Sequence, residues 1–81
     1  MKIELVRFED GLADFNIDDL TARCEVSDWG LAEFINGQLI IDTSSWFDIN
    51  GDHVDTPEWF GRKELFELND VFERDFKKFR K

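Results

Sequence analysis

The chain has 81 residues, with 19 Asp and Glu against 10 Lys and Arg and a formal charge of -9, and it is expected to form one domain, residues 1–81. Nine Phe, three Trp and a 42% hydrophobic content are more than an acidic disordered tail holds, so a packed core is expected. One Cys and one His exclude an internal disulfide framework and an ordinary structural zinc site, and no apolar run is long enough to span a bilayer.

Short strands come first. Lys2–Glu9 is rich in β-branched and aromatic residues, with Ile3 and Leu5 on one face and Val6 and Phe8 on the other. Such a strand is either covered on both sides or bulged. Asp10-Gly11 signals a hairpin. Ala13, Phe15 and Ile17 then share a face, and Leu20, Ala22, Cys24 and Val26 alternate with Thr21, Arg23, Glu25 and Ser27, the period of a half-buried strand. Asp28-Trp29-Gly30 reads as a turn. Asn36-Gly37 and Asn50-Gly51 are strong hairpin signals, expected as type I′ turns with positive φ at both glycines.

A helix follows. Thr56-Pro57 supplies an N-cap and a first-turn proline, and Leu65, Leu68, Phe72, Phe76 and Phe79 form a stripe of helical period. Asn69-Asp70 is a weak point where this helix could divide. Acids early in the segment and bases at its end complement the helix dipole, which accounts for the basic tail. The expected fold is α+β: an antiparallel sheet of four to six short strands over residues 2–56, with a C-terminal helical region over residues 57–80 packed on one face.

Little in the sequence points to catalysis. His53 is the only imidazole, Cys24 sits on an inward face, and no serine lies in a nucleophile motif. Paired carboxylates are too numerous for one pair to stand out, and no phosphate-binding loop or zinc-protease motif occurs. Asp48, Asn50 and Asp52 imitate the start of a calcium loop, but His53 and Trp59 stand where such a loop needs Gly and Glu. No enzyme activity, cofactor or metal is expected.

Charge is the informative feature. Residues 1–61 carry 14 acids and 3 bases, a net of -11, whereas residues 62–81 carry 5 acids and 7 bases. Seven acids (Glu9, Asp10, Asp14, Asp18, Asp19, Glu25 and Asp28) lie between positions 9 and 28 with only Arg23 to offset them. A plain solubilising surface explains such a run, and so does a recognition surface for a basic partner. Direct contact with nucleic acid needs a basic stripe that this chain lacks. Trp29 and Trp46, each beside or close to an acid, are expected as anchors of the contact surface.

The expected function is therefore that of a small acidic inhibitor which occupies a basic, nucleic-acid-binding surface of another protein, in the manner of phage anti-CRISPR or anti-restriction proteins. An immunity protein or antitoxin that neutralises a basic toxin, and an accessory domain of a complex or homo-oligomer, are the alternatives. With no membrane span and no signal-peptide pattern, the expected setting is a reducing cytoplasm.

Overall fold

The structure, a computed structural model, describes residues 2–26 and 41–79. The Asn36-Gly37 hairpin expected from sequence lies outside these residues, as do Asp28 and Trp29. The described strands are β1 (Ile3–Glu9), β2 (Leu12–Ile17), β3 (Leu20–Val26), β4 (Ile41–Phe47) and β5 (His53–Val54), followed by helix α1 (Arg62–Asp75) and a 3₁₀ turn (Phe76–Phe79). All strand pairs are antiparallel, and spatial order equals chain order. This is an α+β fold, a five-stranded sheet with the C-terminal helix packed on one face.

Alternation sorts the side chains into rows. Leu5, Phe15, Ala22, Trp46 and Val54 lie opposite one another across all five strands. Phe8, Ala13, Cys24 and Thr43 form the next row on the same face. Two bulges make these rows possible. In β1, Leu5 pairs with Phe15 and Arg7 with Asp14, so Val6 is an extra residue. Without it Phe8 would face away from Leu5; with it, both point toward the helix. In β4, Ser44 is the extra residue between Ser45 and Thr43, and its hydroxyl donates to the Arg23 carbonyl at 3.1 Å.

Helix α1 covers this inner face. The central strands present small side chains there, Ala13, Ala22 and Cys24, all fully buried. The flanking strands supply Phe8, Leu5 and Trp46. Phe15 and Ile17 of β2 share that face and are also fully buried. Leu68 and Phe72 are fully buried, Phe76 is 8% exposed, and Leu65 and Phe79 are packed at the margin. Phe72 meets Phe8 edge-on at 5.0 Å and stacks on Phe76 at 5.2 Å. The helix does not divide at Asn69-Asp70. Asn69 follows Leu68 on the sheet-facing side and is itself buried.

Two local expectations need correction. The helix starts at Arg62, not after Thr56-Pro57. The Phe60 N–H donates to the Pro57 carbonyl, which makes 57–60 a turn, and Glu64 accepts from the Gly61 N–H at 2.8 Å, which fixes the helix entry there. The second correction concerns Asn50-Gly51. Gly51 has φ +84, but Asn50 is not in the positive-φ region, so the turn is not type I′. Instead the Gly51 N–H donates to the Asp48 carbonyl and the Asp48 N–H to the Asp52 carbonyl, a three-residue loop closed by a glycine in the left-handed region. The Asp48 carboxylate accepts from the Asn50 and Asp52 N–H groups, so its chemistry is that of a turn cap. The type I′ turn is at Asp10-Gly11, where φ is +54 and +77.

Replacing Phe72 with Ala removes the ring that joins α1 to β1, and thermal or urea unfolding should show a loss of about 3–5 kcal/mol. Gly51→Ala introduces no clash, since nothing lies within 4 Å of the added Cβ. It should still cost about 1–2 kcal/mol through the backbone alone, and the same unfolding assay should detect it.

Candidate protein-binding surface

Among the described residues no layer covers the outer face of the sheet. Its central row is Arg7, Asp14, Arg23 and Ser45, a basic–acidic–basic order across β1, β2 and β3. Arg23 forks onto Asp14 at 3.0 and 3.4 Å and lies 5.2 Å over the Phe47 ring. That hydrogen bond, with the charge of Asp14 behind it, raises the Arg23 pKa further above its usual value. Asp14 is only 8% exposed, held down by the guanidinium above it. Arg7 forks in the same way onto Glu9, but both are well exposed. Both arginines of the outer face are thus engaged by acids of the same face, whereas Lys2, beside Glu4 and Asp18, has no ion pair among the described residues.

The acids that crowd together in sequence separate in space. Glu9, Asp10 and Glu25 collect at the Asp10-Gly11 end of the sheet, where Glu9, Leu12 and Glu25 form one outer row. Asp18 and Asp19 make the two-residue turn at the opposite end, the length of six-residue β2 away, about 20 Å. Asp14 lies between the two groups and is neutralised. Asp18 also has a backbone role, with φ +55, a region that Asp and Asn enter more easily than most residues.

At the Asp18-Asp19 end the described residues shape a continuous surface. Three shallow depressions of about 250, 260 and 350 Å³ adjoin there. Lys2, Glu4, Asn16 and Asp18 line one; Asp18, Asp19, Thr21, Asp48 and Ile49 line the next; Arg23, Phe47 and Gly51 extend the third. Thr21 donates to Asn16 across the strands at 3.1 Å and holds the floor flat. Two of these volumes fall below the lower limit for small-molecule sites, about 300 Å³, and the third only just exceeds it. An open, acid-lined trough of this kind suits protruding Lys and Arg side chains. Ile49, 78% exposed at the tip of the β4–β5 turn, gives it an apolar rim.

The tryptophans require a correction. Trp46, expected at the contact surface, is 2% exposed. Its residue parity places it opposite Ala22 on the inner face, where it meets Phe60 at 4.8 Å and Trp59 at 6.0 Å, both edge-on. Of the two described tryptophans, Trp59 is the one with an open face, at 45% exposure. Sequence reasoning also did not single out Glu4, Asp48 or Ile49, because only the meander brings them to the Asp18-Asp19 end. Parity could have assigned Trp46, had the extra residue in β4 been visible.

At the other end of the chain, Asp75 accepts from Arg74 at 2.8 Å and pairs with Lys78 at 3.5 Å. Arg74 and Lys78 hold its carboxyl below the usual range, against a smaller opposing effect of burial. Part of the basic tail is therefore already engaged. Among the described residues no helix is long and apolar enough to cross a membrane, and no group of three or more His, Cys, Asp or Glu could hold a metal ion. Neither a family model, nor a curated protein, nor a solved structure matches the chain.

Asp14→Ala leaves Arg23 half-buried without its carboxylate and should lower stability by about 1–2 kcal/mol. Asp19→Lys, at an exposed turn, should leave the melting temperature nearly unchanged. Melting curves of the two variants measured side by side check the division between structural and surface acids.

Proposed function

We propose that the chain is a binding module that sets the acidic outer face of its sheet against a basic protein surface and inhibits that protein by occupancy. The surface it covers is one that otherwise holds nucleic acid. One observation carries this reading. Arg7 and Arg23 are engaged by Glu9 and Asp14, while Glu4, Asp18, Asp19, Glu25 and Asp48 have no ion-pair partner among the described residues. Against these five acids stands Lys2, beside Glu4 and Asp18, so the face keeps an excess of negative charge for an external cation.

The physical logic is electrostatic attraction followed by local fit. Carboxylates at both ends of a rigid sheet, about 20 Å apart, attract a Lys/Arg-lined groove at long range. The trough at the Asp18-Asp19 end then accepts individual basic side chains, with Ile49 supplying apolar contact beside them. Occupancy alone accounts for inhibition, so no catalytic group is required. The buried Cys24 and the exposed His53 take no part.

Affinity capture from the host at low salt identifies the partner, and surface-binding kinetics across a salt series test the mechanism. Association should slow steeply as salt rises. Asp19→Lys should reduce the on-rate about tenfold with little change in the off-rate. Asp18→Asn, which keeps a residue tolerant of positive φ, should do so more mildly. A partner with an acidic or neutral surface, bound at a rate indifferent to salt, would refute the proposal.

A further inference from the structure

β1 stands at one edge of the sheet, with β2 as its neighbour and no strand on its other side among the described residues. It is seven residues long, whereas the opposite edge strand, β5, has two. A long unpaired edge is a template for another strand unless something disfavours pairing. Charges commonly serve that purpose, and β1 carries several. Their order, however, favours one particular partner.

Read antiparallel to itself, Lys2–Glu9 is complementary. With Leu5 opposite Val6 of a second copy, Lys2 meets Glu9, Ile3 meets Phe8, and Glu4 meets Arg7, each twice about the dyad. In an unbulged strand this register would set each residue against one from the opposite face. The extra residue at Val6 changes that. It brings Ile3 and Phe8 to the inner face and Glu4 and Arg7 to the outer face, so these two pairs lie on matching sides, and buried Leu5 and exposed Val6 meet only at the bulge itself. Sliding the copies by two residues either way sets Lys2 against Arg7 or Glu4 against Glu9, like charges in both cases. One register alone combines opposite charges with matching faces.

We infer that β1 is a self-recognition edge, and that two copies of this chain join there through a two-fold axis, their described strands forming one continuous sheet. Such an interface is isologous, with the same patch on both subunits. Ile3 and Phe8, half-buried at the margin of the core, become covered by their counterparts. Arg7, which binds Glu9 within its own strand, lies between that carboxylate and Glu4 of the second copy. The acidic outer faces of the two sheets become one surface. The assembly does not depend on the proposed inhibitory role and stands or falls separately from it.

Sedimentation equilibrium of the full chain over a concentration series should show a monomer–dimer equilibrium that weakens as salt rises. Glu4→Arg and Arg7→Glu, made separately, each set like charges together at two places about the axis. Each should raise the dissociation constant about tenfold or more. Mixing the two variants in equal amounts restores opposite charges at both places and should re-form a dimer containing one of each, as should the Glu4→Arg/Arg7→Glu double variant with itself. Lys2→Glu and Glu9→Lys repeat the test at the ends of the strand should a central variant fail to fold, which circular dichroism reports. A wild-type chain that is monomeric throughout, single variants as dimeric as wild type, or a mixture that stays monomeric would overturn the inference.

Discussion

Side chains along a strand change faces at every residue, so a sheet with one covered face must keep every strand in phase. β1 and β4 are out of phase with their own apolar patterns, and each inserts one residue to recover. Val6 lets β1 present Leu5 and Phe8 to the same helix, and Ser44 lets β4 present Thr43 and Trp46 in step with Cys24 and Ala22. The core depends on both insertions. Phe8 against Phe72 and Trp46 against Phe60 are contacts that an unbulged sheet would direct to opposite sides.

The same insertions organise the charged face. Once β1 is shifted, Arg7 falls opposite Asp14, and Asp14 opposite Arg23, so the outer face acquires a row of alternating sign. Glu9 and Asp14 take up the two arginines of the face, and its other acids are left without ion pairs among the described residues. The proposed binding role and the proposed self-association both follow from this allocation. The first uses the acids left over, and the second uses the charge order along β1, with Glu4 common to both. A dimer joined there would double the acidic face without adding a new kind of contact.

Much of this was legible in the residue order. Alternation from Leu20 to Val26 marked β3, Asp10-Gly11 marked the β1–β2 hairpin, and the Leu65-to-Phe79 stripe marked the helix face. Even the fault in β1 was visible, since Ile3 and Leu5 fell out of phase with Phe8. These features are local: they need only the period of a strand or helix and the steric freedom of glycine. The Asp18-Asp19 turn was less apparent, because two aspartates in a row signal surface more strongly than they signal a left-handed turn. The helix start was misplaced for a related reason. Thr56-Pro57 fits a helix entry locally, but the Pro57–Phe60 turn and the Glu64 bond to Gly61 delay the helix by one turn.

The candidate surface was less legible than the fold. Seven acids close in sequence suggested one patch, yet antiparallel strands return the chain over its own length, and neighbours in sequence end on opposite ends of a sheet. Asp14 was counted among the contact acids, but its partner Arg23 is nine residues away and reaches it only across the β2–β3 ladder. Trp46 was counted as an anchor, but one inserted residue in β4 decides its face. Composition and periodicity alone determined the acidic character, the α+β class and the helix stripe, because each depends on residue type and spacing within one segment. Which acids remain unpaired, which tryptophan is open and which strand forms the edge were decided only by the tertiary structure, because each depends on what a different segment places opposite.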